Sequence, residues 1–248
     1  VIAASFARGT THLKNCACEP EIKNLTDFLK KMGVKINWLG KREIRISGNK
    51  KLKSVSHNIM FDRIEAGTFI IAGALTGRNL KITGIESRIL NKELEVLKKM
   101  GVRLKINKNE IYILESDNIK PISIKTEPYP GFPTDLQAQI MVLMTRAKGI
   151  SKIKENIFEN RFMHVPELNR MGAKIRISGD TSFITGPQNL NGAEVMATDL
   201  RASVSLVLAG LIAKDKTVVN RVYHLDRGYE GLEKKLKKCK ASIFRAHS

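Results

Sequence analysis

Apolar positions in this chain recur at helical spacing in short runs that end in glycine and pass at once into alternating, strand-like segments. Four such junctions are visible: Leu97-Lys98-Lys99-Met100-Gly101-Val102-Arg103-Leu104 and its counterparts around Met32-Gly33-Val34, Met171-Gly172-Ala173 and Cys239-Lys240-Ala241. Gly101 follows Gly33 by 68 residues, Gly172 follows Gly101 by 71, and Lys240 follows Gly172 by 68. A glycine just past a helix end takes a left-handed backbone without a Cβ penalty, so its recurrence marks the same turn each time. Lys240 lacks that freedom, and the fourth turn is expected to be weaker or differently shaped.

The order of elements around the junctions also repeats. The pattern predicts a helix over 62–75, a strand over 79–83, a helix over 91–100, strands over 102–106 and 110–114, and a strand over 122–126 closing the unit. The next copy predicts a helix over 132–146, a strand over 151–154, a helix over 165–171, and strands over 174–177 and 182–185. A mixed unit of about 70 residues is too long for a tetratricopeptide or ankyrin array, and its strands demand sheet-and-helix layers, an α/β (α+β) fold. The apolar stretch 205–213 is far short of the roughly 18 to 20 residues of a membrane span and reads as a buried helix. The first nine residues read as the end of a helix, and 242–245 as a first strand with no hairpin partner. Both terminal units are expected to be completed by something outside this sequence.

Composition narrows the picture. With 42% hydrophobic residues in 248, the chain can bury a core and is not mainly disordered. Its 43 Lys and Arg against 24 Asp and Glu give a formal charge of +19, which favours an anionic partner: nucleic acid, a phosphorylated metabolite or acidic lipid. Aromatic residues are only 6% and no nucleic-acid reader motif is present, so nucleic acid is the least favoured of these. Cys16, Cys18 and Cys239 make no paired framework and read as reduced thiols of a cytoplasmic protein. No leader-like segment opens the chain, and no membrane association is expected. The run 232–238 reads as a solvated lysine face around Leu232 and Leu236.

Three helix starts carry charge: Thr134-Asp135-Leu136-Gln137, Thr198-Asp199-Leu200-Arg201 and Asp62-Arg63-Ile64-Glu65. One reading is N-capping, in which the acid satisfies free helix N–H groups. The other is an anion site formed by a helix N-terminus with a nearby arginine, and Arg201 is what a pure cap would not require. Arg161 and Arg227 fall 66 residues apart in matched strand-to-helix loops, which suggests a shared positive cleft; Arg161 has Glu159 and Glu167 as alternative partners. His164 and His224 read as hydrogen-bonded structural residues, since neither has a second ligand at metal spacing.

The segments Tyr129-Pro130-Gly131-Phe132-Pro133-Thr134-Asp135-Leu136-Gln137, Phe158-Glu159-Asn160-Arg161-Phe162-Met163-His164, Ala197-Thr198-Asp199-Leu200-Arg201 and Leu225-Asp226-Arg227-Gly228-Tyr229 resemble those of the UDP-N-acetylglucosamine 1-carboxyvinyltransferases, bacterial enolpyruvyl transferases. Cys18-Glu19-Pro20 and Asp62-Arg63-Ile64-Glu65-Ala66-Gly67-Thr68 fit as well. The resemblance covers nearly the whole chain, which corresponds to the C-terminal three-fifths or so of a family member.

That resemblance implies an inside-out α/β barrel built of βαβαββ-type units around buried helices, with 1–59 the last unit of a first domain and 60–248 nearly all of a second. It implies transfer of enolpyruvyl from phosphoenolpyruvate to the 3-hydroxyl of UDP-N-acetylglucosamine, with release of phosphate, at the committed step of peptidoglycan and hence cell-wall synthesis. Asp135 would be the general base, Asp199 would lie close to the reacting atoms, and Ile157 would touch the UDP-sugar through its backbone. Arg161, Arg201 and Arg227 would surround the phosphate or carboxylate of phosphoenolpyruvate, with Arg227 counted among the catalytic groups. No cofactor or metal is implied. The family's N-terminal Lys-Asn pair, its loop bearing the general acid and much of its uridine site have no counterpart here. The chain is therefore expected to be inactive alone, with an N-terminal fragment as a partner. Other readings are a catalytically dead fragment acting as a binding module, a basic nucleic-acid binder, and the shikimate-pathway enolpyruvyl transferase, against which the Phe158–His164 motif argues.

Overall fold

A computed structural model describes residues 1–49 and 51–246. The chain divides into two compact units, one of Val1–Phe61 with Pro128–Pro130, the other of Asp62–Glu127 with the chain from Gly131 onward.

In the smaller unit, α1 (Ile2–Phe6), β1 (Thr10–Lys14), α2 (Pro20–Lys31), β2 (Lys35–Gly40) and β3 (Glu43–Ser47) follow in order. The strands form an antiparallel sheet, β1-β3-β2, and their alternating inward residues meet the apolar stripe of α2 in a core of Leu29, Val34, Ile36, Ile44 and Ile46. Pro20 at the first turn of α2 supplies a preset φ where an N–H would be unpaired.

The larger unit contains α3 (Arg63–Thr76), β4 (Leu80–Thr83), α4 (Asn91–Lys99), β5 (Arg103–Asn107), β6 (Glu110–Leu114) and β7 (Ser123–Lys125). It continues with α5 (Gln137–Met144), β8 (Gly149–Lys154), α6 (Val165–Arg170), β9 (Lys174–Ser178), β10 (Thr181–Gly186), β11 (Glu194–Met196), α7 (Leu200–Ile212), β12 (Val218–Asn220) and α8 (Leu232–Lys238). The apolar stretch read as a buried helix lies in α7. Helices α3, α5 and α7 are apolar nearly all round, as a helix must be when no face meets water, and they pack on one another. The strands fall into separate sheets, β4-β6-β5, β7-β8-β10-β9 and β11-β12, and do not join into a closed barrel among the described residues.

Several expected elements are corrected. The helix over 132–146 is a 3-10 turn at Thr134–Leu136 followed by α5, and its last residues leave the helix through i→i−3 bonds such as Ala147 N–H to Met144 O. The strand over 122–126 does not close the preceding unit. It runs parallel to β8, Ile124 opposite Ile153, and so begins the next sheet. No strand forms over 242–245, where no partner strand is present among the described residues, although Ile243 packs on the core beside Leu232 and Leu236. Those leucines are buried in α8, as its pattern predicts.

All four junction turns have the same shape. Gly33, Gly101 and Gly172 have φ of 103°, 88° and 95°, and the next residue's N–H reaches back five positions, as from Val102 to Leu97 O. Lys240 adopts φ 65°, with the same bond from Ala241 N–H to Leu236 O, so of the two expected alternatives a differently shaped turn is wrong. The tertiary position of Ile243 imposes the turn and the lysine backbone bears the strain. Replacing Lys240 by Gly is therefore expected to stabilise the chain by about 0.5–1 kcal/mol in urea denaturation. A destabilised variant would contradict the common turn.

Candidate active site

The three similar helix starts do different work. Asp62 caps α3, accepting from Ile64 N–H at 2.7 Å and Glu65 N–H at 3.0 Å, and Asp199 caps α7, accepting from Arg201 N–H at 2.7 Å and Ala202 N–H at 2.9 Å. Asp135 caps nothing. It lies in the 3-10 turn before α5, and its carboxylate accepts from Arg161 Nη2 at 2.7 Å through Oδ1 and pairs with Arg201 Nη2 at 3.1 Å through Oδ2.

Each cation is held from more than one side. Arg161 comes from the loop after β8; its Nη1 donates to Thr134 Oγ1 at 3.0 Å, and its guanidinium lies 4.7 Å from the centre of the Phe158 ring. It pairs with Asp135 and not with Glu159 or Glu167. Arg201 is the second residue of α7, and its Nη1 donates to the Tyr229 hydroxyl at 3.4 Å. That hydroxyl, only 2% of whose residue is exposed, is hydrogen-bonded to Thr68 Oγ1 of α3 at 2.9 Å. Gln139 of α5 donates to Thr68 at 3.2 Å, to the tyrosine oxygen at 3.4 Å and to the Asp135 carbonyl at 2.9 Å. A polar ring thus ties Asp135 to all three buried helices.

Burial alone would push the Asp135 carboxyl up, but the Arg201 guanidinium, and after it Arg161, outweigh this and hold it below its ordinary value. The side chain of Asp135 is 35% exposed, so the pair of cations faces an accessible edge. Two planar guanidinium groups offering N–H pairs in this way suit a small, multiply charged oxyanion. Among the described residues no group of three His, Cys, Asp or Glu side chains is placed to hold a metal ion.

The remaining candidates are not gathered here. Arg227, at the end of the 3-10 turn Val222–Arg227, is exposed, and its side chain makes no hydrogen bond or ion pair among the described residues. Ile157 is 37% exposed, and its N–H already donates to Glu155 Oε1 at 2.9 Å, leaving its carbonyl as the backbone group open to a ligand. His164 and His224, read as hydrogen-bonded structural residues, each bury one ring nitrogen, His164 Nε2 and His224 Nδ1, that has no hydrogen-bond partner among the described residues. Sequence reasoning missed Glu155, Gln139, Thr68 and Tyr229 as a supporting set. Glu155 has a local signal, an acid at a strand end whose carboxylate accepts the N–H groups two and three residues on.

Fold and site together define a mixed α/β protein in which two arginines share one carboxylate beside its buried helices. The chain belongs to the EPSP synthase (3-phosphoshikimate 1-carboxyvinyltransferase) family, whose model matches residues 1–236. It is 60% identical over 245 residues to the UDP-N-acetylglucosamine 1-carboxyvinyltransferase of Pelagibacter ubique (strain HTCC1062), covering 99% of this chain and 59% of that one. It is 52% identical over 246 residues to the protein of the same name from Rhodopseudomonas palustris (strain BisB5), covering 99% and 57%. The resemblance read from the motifs is borne out by these names, and the chain spans a little under three-fifths of the length of these relatives. Among solved structures it is similar to the enolpyruvyl transferase NikO from Streptomyces tendae, with TM-score 0.89 and 29% identity over 97% of this chain and 58% of that one. EPSP synthase from Acinetobacter baumannii shares the fold, with TM-score 0.73 and 18% identity over 100% and 60%.

Burial, and to a lesser degree the neighbouring Arg161, pushes the His164 imidazole down to about 4 from its ordinary 6.5, although Asp199 acts in the opposite sense. The folded protein therefore holds it neutral, while the unfolded chain takes up a proton below pH 6.5. The associated stability is complete above that pH and is lost as pH falls towards about 4, by roughly 3 kcal/mol. Replacement of His164 by Phe is expected to flatten the fall in unfolding free energy between pH 7 and pH 4 by that amount. An unchanged slope in urea titrations at several pH values would contradict this assignment.

Proposed function

We propose that this chain contributes the Asp135 side of an enolpyruvyl transferase site acting on phosphoenolpyruvate and UDP-N-acetylglucosamine, with release of phosphate, at the committed step of peptidoglycan synthesis. The observation that carries the reading is a half-exposed carboxylate shared by Arg161 and Arg201. It is supported by 60% and 52% identity to relatives that bear the UDP-N-acetylglucosamine name. The family description is that of the shikimate-pathway enzyme, a second reading; EPSP synthase from A. baumannii is only 18% identical.

In this reading phosphoenolpyruvate draws Arg161 and Arg201 onto its phosphate or carboxylate, and Arg227, unpaired in this structure, closes over the same anion. Withdrawal of the two cations raises the affinity of Asp135 for a proton, and it takes one from the sugar 3-hydroxyl as that oxygen bonds to C2 of phosphoenolpyruvate. The methylene carbon gains a proton in this addition and loses one again as phosphate leaves. The acid for that carbon lies on the part of the family that this chain does not match. Asp199, besides capping α7, stands near the reacting atoms, and the Ile157 carbonyl contacts the UDP-sugar.

The same reading takes the buried helices flanked by sheets as the family's inside-out arrangement, with 1–59 ending one domain and 60–248 forming most of the next. Turnover requires the rest of the family sequence, on the same polypeptide or as a separate fragment, and the substrates place the reaction in the cytoplasm. The test is phosphate release from the two substrates by this chain, alone and with the N-terminal portion of a relative added. Activity is expected only on complementation, reduced roughly 10²–10⁴-fold by Asp135→Asn. A folded, complemented sample that releases no phosphate would overturn the assignment, and turnover by the chain alone would overturn the requirement for the rest.

A further inference from the structure

Glu155 has no place in the reaction just described, yet it is the most heavily engaged carboxylate beside the site. It follows β8 directly and is 5% exposed. Its Oε1 accepts from Thr126 Oγ1 at 2.7 Å, from Ile157 N–H at 2.9 Å and from Phe158 N–H at 3.2 Å; its Oε2 accepts from Thr134 Oγ1 at 2.9 Å. Among the described residues no cation pairs with it. We propose that Glu155 is a positioning residue that sets the plane of Arg161, and through it the Asp135 pair; the role rests on the function proposed above.

Donor and acceptor chemistry fixes the direction of each of these bonds. An ionised carboxylate only accepts, so the Thr134 hydroxyl must spend its one proton on Glu155. The threonine oxygen is then left with lone pairs alone to offer, and Arg161 Nη1 donates to it at 3.0 Å. Thr126 is polarised in the same way, giving its proton to Glu155 and accepting from Asn156 N–H at 2.9 Å. Phe158, whose ring stacks beneath the Arg161 guanidinium, has its backbone fixed by the same carboxylate. Apart from Asp135, both groups seen to orient Arg161 are thus set by Glu155. Such a supporting layer keeps a reacting group within a few tenths of an ångström of its working geometry, and its loss typically costs 10- to 100-fold in activity.

A residue that merely pins the loop behaves differently on amide substitution. In Glu155→Gln the amide oxygen can keep the bonds to Thr126, Ile157 and Phe158, while the amide nitrogen faces Thr134 and donates. The loop stays anchored, but the polarity at Thr134 is reversed and Nη1 of Arg161 meets a competing donor. In the uniformly ¹⁵N-labelled chain, the Arg161 side-chain N–H signals are expected to move from their parent positions, with Nη1 losing its Thr134 partner while Nη2 stays on Asp135, and the Ile157 and Phe158 amide signals are expected to stay in place. Thr134→Val should reproduce the change, Thr134→Ser should reverse it, and the double variant should be no worse than either single one. In the complemented phosphate-release assay both single variants should lower kcat roughly 10- to 100-fold with the KM for UDP-N-acetylglucosamine unchanged.

Arg161 signals identical to those of the parent in both Glu155→Gln and Thr134→Val would overturn the proposal, as would fully additive effects. Should Glu155→Gln fail to fold, the Thr134 pair decides alone. A complemented parent that releases no phosphate removes the catalytic assignment, whereas the arginine spectra still decide whether Glu155 positions Arg161.

Discussion

A carboxylate flanked by two guanidinium groups constrains everything around it in the larger unit. Neither partner can be left out cheaply: a partly buried Asp135 needs its cations, and two arginines brought together need an anion between them. The three groups come from separate parts of the chain, the turn before α5, the loop after β8 and the first turn of α7. Their meeting therefore requires α5, α7 and β8 to be in register. Helix α3 joins through Thr68, because Gly67 beside it leaves room for Leu136; a Cβ there would stand 2.5 Å from a Leu136 methyl. Close approach of an apolar helix and the Asp135 turn thus brings Thr68 within reach of the polar ring.

The site's electrostatics follow from this packing. The carboxylate of Asp135 is held ionised and weakly basic by the two guanidinium groups. In the reaction proposed above, a multiply charged oxyanion would compete for the same N–H groups with greater charge, and the carboxyl would become a better base as the arginines left it. The Tyr229 hydroxyl stays protonated through this exchange, since burial raises its value more than Arg201 and its other neighbours lower it. It can anchor Arg201 without becoming a competing anion.

Much of the fold was legible because periodicity and backbone chemistry are local. The glycine turns at 33, 101 and 172, the alternating strands and the apolar run within α7 all announce themselves over a few residues. The reading failed where a distant partner decides the outcome. Residues 122–126 pair forward to β8 rather than backward, 242–245 find no strand to pair with, and Lys240 accepts a left-handed turn because its neighbours pack correctly. The site shows the same division. Asp62, Asp135 and Asp199 stand in nearly the same short motif, and only tertiary structure separates two caps from one ion-pair centre. Glu155 and Gln139 each have a local bond, but their ties to Thr134 and Tyr229 span 21 and 90 residues, which no local pattern encodes.

The central claim is that Arg161 and Arg201 together govern the proton affinity of Asp135. Titration of its side-chain carboxyl carbon by ¹³C NMR in the folded chain tests this most directly. The midpoint is expected below the ordinary aspartate value of about 3.9, and to move upward when phosphoenolpyruvate or inorganic phosphate is added. A midpoint at or above the ordinary value without ligand would contradict it.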